Sequence, residues 1–357
     1  MYSQSQITET VERFRQSFWR KTHMDHPPVG VVCDGTLLPV NYMRSGFSGS
    51  ELFPGDIHKN LFSTDYDYTS VHRGVFTDNW VPFNSAWRAV PWIEAICGCP
   101  VRYASGSLAP GHCVDSIDDL REYILPANKT WLKILERQTK ELVASAPADC
   151  WISPSILRGP SDILAAMRGM TDFYMDLYDN IQVIDEMAGR INKLFINILD
   201  RHFSVVRPNL GGYGHIYGYW APGKTITIQE DALGMCSPDV YRDVFMKYNA
   251  DIVNHLGLYV LFHLHSTGYG HYRDVLEIPG LAGLEMTIEE NGPPLHEMVP
   301  FLRETLERSR LILFVHHYFE DVPHVLKQIP HEGLFLIISD KFIKSENEFR
   351  AFKEKNW

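Results

Sequence analysis

The chain has 357 residues, 45% of them hydrophobic and 22% charged, with a formal net charge of −11. That is globular composition in a chain long enough to bury a large core without staples. Nucleic-acid binding needs a basic face to replace phosphate counterions, and no Lys/Arg cluster supplies one.

In chain order, the N-terminus reads ITETVERFRQSFWRKT. It is a charged amphipathic helix without the apolar stretch of a signal peptide. Residues 28–35 (PVGVVCDG) read as a buried strand, and residues 36–110 are rich in aromatics, Pro and Gly with little periodicity. From Ser116, SIDDLREYILPANKTWLKILERQTKELVASA predicts two helices broken near Pro126, and residues 160–206 are helical in pattern. Pro160 stands near the first turn, with Asp162 as an early acid.

The second half alternates cleanly. TITIQEDAL, YVLFHLHS, GLAGLEMTI, LILFVHH and GLFLIIS each predict a strand, and a helical segment follows every one. The helix after the first has Ser237 as N-cap, Pro238 in its first turn and Gly257 at its C-terminal end. These are apolar runs rather than alternating ones, as expected of parallel strands covered on both faces. A closed barrel and an open sheet both fit; the lack of a Gly-rich dinucleotide loop weighs against the open sheet.

Six cysteines are present (Cys33, Cys97, Cys99, Cys113, Cys150 and Cys236), irregularly spaced. A secreted disulfide framework is not expected from them. No run of about 18 apolar residues exists to span a membrane. A reducing cytoplasm is the expected compartment. Cys97-Gly98-Cys99 offers two thiols, only half a zinc site, and reads as structural.

In a parallel barrel the C-terminal strand ends share one face, where active sites lie. All five runs end in polar or ionisable residues: Gln229, Glu230 and Asp231; His263 and His265; Glu285, then Glu289 and Glu290; His316 and His317; Ser339 and Asp340. Residues i and i+2 on a strand share a face, so His263 and His265 can reach one metal ion together. His316 and His317 are adjacent, so only one of them can point inward. His271, His296, His324 and His331 read as solvated loop or helix residues. The aromatic run at residues 211–223, with Tyr217 and Trp220, can cover a ligand.

Three segments carry a resemblance. QEDALGMCSPDVYRDVFMKY, LFHLHSTGYGHYRDVLEIPGLAGLEM and RGPSDILAAMRGMTDFYMDLYDNIQVIDEMAGRI resemble the uroporphyrinogen decarboxylase superfamily. The resemblance covers roughly residues 75–345 and is specific over 158–290. It implies an α/β (β/α)8 TIM-type barrel in one domain, with residues 1–75 as a helical, loop-rich extension and 76–357 as the barrel. It also implies either decarboxylation of uroporphyrinogen or methyl transfer with a corrinoid protein, and a possible homodimer.

Two departures bear on that choice. The decarboxylases' N-terminal arginine motif is reduced here to Arg44, too little for a substrate with many carboxylates. The thiol-activating methyltransferases carry His-x-Cys and a later Cys; here His263 matches the His, while His265 and Ser339 replace the thiols. Harder donors suit zinc or another borderline divalent ion, held by His263 and His265 with Glu230 or Glu285. The expected activity is therefore a zinc-dependent methyltransferase or demethylase, passing a methyl group from a small methylated donor to a corrinoid on a partner protein. Asp231 and His316 or His317 are the expected catalytic groups, and Tyr217, Trp220, Arg158 and Arg44 the expected substrate contacts. Two alternatives stand: a metal-free decarboxylase using Asp231 or Asp34 with Arg44, Arg158 and Arg168, and a non-catalytic corrinoid- or metal-binding barrel.

Overall fold

The protein is described from a computed structural model covering residues 4–32, 51–57, 79–86, 90–104 and 107–357. Arg44, Asp34 and Cys33 lie outside the described residues. Strands β1 (Val29–Val32), β4 (Thr227–Gln229), β5 (Leu261–His265), β6 (Gly283–Ile288), β7 (Arg310–Val315) and β8 (Leu334–Ser339) form a parallel sheet in the order β1-β8-β7-β6-β5-β4. Two shorter strands, β2 (Phe83–Asn84) and β3 (Trp151–Ile152), pair in parallel with each other. A single parallel bridge from Arg158 to Gln229 reaches β4. The first strand thus lies beside the last, as in a TIM-like fold, while a continuous eight-stranded ladder is not formed among the described residues.

The predicted helices form in order, and Trp92–Ile96 adds one in a stretch that shows little periodicity. Among them are α1 (Gln4–Arg13), α2 (Trp92–Ile96), α3 (Ile117–Glu122), α4 (Lys129–Ser145), α5 (Pro160–Arg168), α6 (Met170–Asp179), α7 (Ile181–Val205), α8 (Met246–Leu256), α9 (Val299–Arg308) and α10 (Glu346–Asn356), with shorter helical turns at Pro238–Val240, Tyr272–Leu276 and Val322–Leu326. The predicted caps are in place: the Ser237 hydroxyl accepts from Val240 N–H, and Gly257 ends α8 at φ +98°. No described helix is long and apolar enough to cross a membrane.

The apolar runs of the sequence resolve into two separate cores. Phe262, Leu264, Leu284, Met286, Leu311, Leu313, Leu336 and Ile338 pack on the helix-covered face. Their neighbours Leu261, Ile312, Phe335, Ile337 and Val32 point the other way, into a second cluster. Alternate residues face opposite sides, and both sides are dry. The second cluster is closed by the N-terminal segment. Phe14 meets the Phe335 ring edge-on at 5.0 Å, Trp19 Nε1 donates to the Trp220 carbonyl at 2.5 Å, and Arg310 Nη2 donates to the Trp19 carbonyl at 2.6 Å. Arg310 opens β7, so this seal sits at the N-terminal ends of the strands.

Candidate metal centre

The strand register assembles the site. Gln229, His263, Glu285, Ile312 and Phe335 stand side by side across β4 to β8, one layer of the inner face. The next layer carries His265 and Thr287. The inner face therefore changes from aromatic at its sealed end to ionisable at the C-terminal strand ends.

His263 and His265, two residues apart on β5, both face this polar end. Their Nε2 atoms lie 3.0 Å apart, and Asp231 Oδ1 lies 3.8 Å from the first and 3.5 Å from the second. One ligand atom from each of the three residues falls within 4.8 Å of the other two. Four-coordinate zinc with bonds of about 2.0–2.2 Å holds its ligand atoms about 3.3–3.5 Å apart. The observed separations bracket that value, so two imidazoles and a carboxylate fit a borderline divalent ion.

Both rings are backed on the far side. His263 Nδ1 pairs with Glu285 Oε2, and the other Glu285 oxygen accepts from Thr287 Oγ1 at 2.9 Å. Glu289 Oε1 lies 2.9 Å from His265 Nδ1, and Thr267 donates to Glu289 Oε2 at 3.0 Å. The Glu285 carboxylate at His263 Nδ1 orients that ring with Nε2 toward the shared point, where a bound ion would displace the Nε2 proton. Asp231 is steered by Gln229 Nε2, 2.5 Å from Oδ2.

The charges reinforce one another. Burial alone would lower His263, but the facing Glu285 carboxylate and Asp231 outweigh it and push the imidazole up to about 9. His265 moves up as well: burial opposes, and the hydrogen bond to Asp231 prevails. Burial acts to raise Asp231, yet the two imidazoles hold it well below the usual carboxylate range.

The triad opens on a cleft of about 420 Å³, lined also by Gly234, Met235, Gly268 and Glu289. Gly234 and Gly268 face each other at a Cα-to-added-Cβ distance of 3.3 Å, so side chains at these positions would narrow the cleft. His271, expected on a solvated surface, is buried at its edge against Tyr241.

The remaining expected residues are distributed as follows. Tyr217 Oη lies 3.2 Å from His263 Nδ1, which places it at the centre. Glu285 stands behind His263 rather than beside Asp231. Glu230 is not brought to the triad. It is buried with both oxygens engaged, Oε1 by Asn249 Nδ2 at 2.7 Å and Oε2 by the Ser161 N–H at 2.8 Å, and burial pushes its carboxyl up to about 7. The carboxylate meeting the imidazoles is Asp231, which the sequence suggested for catalysis instead. Trp220 is 1% exposed and belongs to the sealed end of the inner core. Arg158 pairs with the buried Glu94 at 2.6 Å. His316 and His317 are half-buried after β7 and lie outside the triad, the His316 ring 3.9 Å from that of Phe314. Thr287 and Glu289 had no assigned role. Thr287 shares the inner face with Glu285 at i+2, a signal available in the sequence; Glu289 lies past the strand end, where spacing gives no direction.

No family model matches the sequence, and no curated protein is similar to it. Among solved structures, the chain is similar to a methyltransferase from Methanosarcina mazei at 12% sequence identity and a TM-score of 0.64, over 97% of this chain and 98% of that one. At that identity the likeness concerns the path of the backbone. The two proteins share a fold from end to end, and the residues at the strand ends are this chain's own.

Proposed function

We propose that the protein is a metal-dependent methyltransferase that passes a methyl group from a small methylated compound to a corrinoid carried by a partner protein. The observation that carries this reading is the convergence of Asp231, His263 and His265, each imidazole backed by its own carboxylate. The full-length likeness to a solved methyltransferase agrees with it. We further take the eight parallel strands to form one closed (β/α)8 barrel, since β1 already lies beside β8.

A divalent ion such as zinc, bound by His263 Nε2, His265 Nε2 and Asp231 Oδ1, would supply Lewis acidity at the heteroatom that bears the methyl group. The chain's own residues do the rest. Glu285 accepts the His263 Nδ1 proton and holds that ring in one orientation, while Glu289 stands beside His265 as its ion-pair partner. Tyr217 closes the inner side of His263. The cleft walled by Gly234, Met235 and Gly268 is of a size for a small substrate.

The decarboxylase alternative draws on arginines that are already engaged. Arg158 is paired with Glu94, and Arg168 with Asp176 at 2.8 Å. Metal analysis of the purified protein tests the proposal. One zinc per chain is expected, with loss in His263→Ala and in His265→Ala. A screen of methylated donors with free cob(I)alamin should then show donor-dependent methylation that a chelator stops. Metal-free protein with chelator-resistant turnover would overturn it.

A further inference from the structure

The Cys97-Gly98-Cys99 segment has no part in the centre just described, yet its geometry is specific. Gly98 has φ +104°, and a side chain there would run into the Tyr123 hydroxyl. This left-handed turn, open to glycine without strain, separates the two thiols. Cys97 is 0% exposed in the core, while Cys99 Sγ lies 3.4 Å from Cys113 Sγ.

We infer that Cys99 and Cys113 form a reversible dithiol–disulfide pair that responds to hydroperoxides. The two residues flank an antiparallel strand pair (Val101–Ala104 with Ser107–Pro110) that already holds them together. Val101 pairs with Pro110, the Gly111 N–H donates to the Pro100 carbonyl at 2.7 Å, and the Cys113 N–H donates to the Met167 carbonyl at 3.0 Å. A disulfide needs sulfurs at about 2.05 Å, a closure within reach of side-chain rotation from this distance.

The two thiols differ as such a pair requires. Cys99 is 2% exposed, whereas Cys113 is half-buried next to the exposed His112. Cys99 Sγ is within hydrogen-bond distance of Cys113 Sγ, and Tyr123 Oη, which donates to the Cys97 carbonyl at 2.9 Å, lies 3.8 Å from the same sulfur. The contact with Cys99 first, and with Tyr123 after it, holds the Cys113 thiol below its ordinary range against its burial, while burial raises Cys97 and pushes Cys236 up to about 12. Cys113 is thus the nucleophile and Cys99 the resolving thiol.

The chemistry balances with a hydroperoxide as oxidant. The Cys113 thiolate attacks the peroxide oxygen, the O–O bond breaks, and hydroxide leaves, giving a sulfenic acid. Cys99, deprotonated by that hydroxide, attacks the sulfenic sulfur, the S–O bond breaks, and a second hydroxide leaves and is protonated by solvent. In sum two thiols and one hydrogen peroxide give one disulfide and two waters.

The test is thiol counting and intact mass on the full-length protein before and after hydrogen peroxide. The expected result is the loss of two thiols with a mass decrease of about 2 Da. A peptide linking residues 99 and 113 should appear, and dithiothreitol should reverse the change. Cys113→Ser should lose no thiol at the same dose, and Cys99→Ala should instead gain oxygen on Cys113. Oxygen addition to Cys113 in the parent protein with Cys99 still open to alkylation, a bridge between other cysteines, or an unchanged thiol count would overturn the proposal.

Discussion

His263 and His265 meet through their Nε2 atoms at 3.0 Å, while the opposite nitrogen of each ring is turned to a carboxylate of its own. Two imidazoles placed this way are set up to share an ion. Glu285, 0% exposed, pairs with His263 on its Nδ1 side, accepts from Thr287 with its other oxygen, and is not among the three groups that meet at the shared point.

Glu285→Gln should therefore leave the donor atoms in place and lower zinc affinity by about 10–100-fold. His263→Ala should abolish stoichiometric binding. Competition against a chromophoric chelator separates the two; equal affinity in Glu285→Gln and the parent would mean that the ring is held by other contacts.

Gly159 opens α5 facing Glu230, and a methyl group there would strike the Glu230 carboxyl. Its φ is −84°, so alanine meets no backbone strain. Gly159→Ala should cost about 1–3 kcal/mol by overpacking, read from urea unfolding, with zinc content unchanged. A loss of zinc at full stability would place Glu230 in the centre after all.

Arg168 and Asp176 are an ion pair in the core, 6% and 8% exposed, with Asn180 also donating to Asp176 and Arg168 to the Val114 carbonyl. Asp176→Ala leaves a buried guanidinium unpaired and should destabilise the fold by about 3–5 kcal/mol. Replacing both partners, as Arg168→Met with Asp176→Leu, should recover much of that loss. A mild effect of Asp176→Ala alone would show that Arg168 reaches water.

His215 is 3% exposed, and its burial lowers the imidazole to about 3. Its Nδ1 accepts from the Tyr217 N–H at 3.3 Å, which leaves the proton on Nε2, 3.4 Å from Thr227 Oγ1. The folded state keeps this ring neutral, while the unfolded chain protonates it near 6.5. Below that pH the unfolded state binds more protons, so the contribution is complete above pH 6.5 and is lost as pH falls toward 3. Between pH 7 and 5.5 the parent should lose about 1 kcal/mol more stability than His215→Gln. Parallel pH profiles of the two would show the ring charged in the native state.

The parallel sheet was legible from the sequence because strands buried on both faces read as unbroken apolar runs, and Ser237 and Gly257 marked a helix at both ends. The pairing of His263 with His265 was legible for the same local reason, a period of two. The carboxylate partner was not. Glu230 and Asp231 are adjacent, and which of them turns toward the imidazoles depends on Ser161 and Asn249, far away in the chain, which capture Glu230. Trp220 shows a similar limit: an aromatic run covers a ligand or fills a core with equal local pattern, and Trp19 decides it from a distance.

The N-terminal segment acts as a stopper. Phe14, Phe18 and Trp19 pack over the N-terminal ends of the strands, and each buried aromatic ring contributes on the order of 2 kcal/mol. Under the proposed function, variation in the loops at the C-terminal strand ends can thus retune the substrate without loosening this packing. Changes to the first helix would act on the folding of the whole chain, and a deletion there would uncork a water path toward the histidines from beneath.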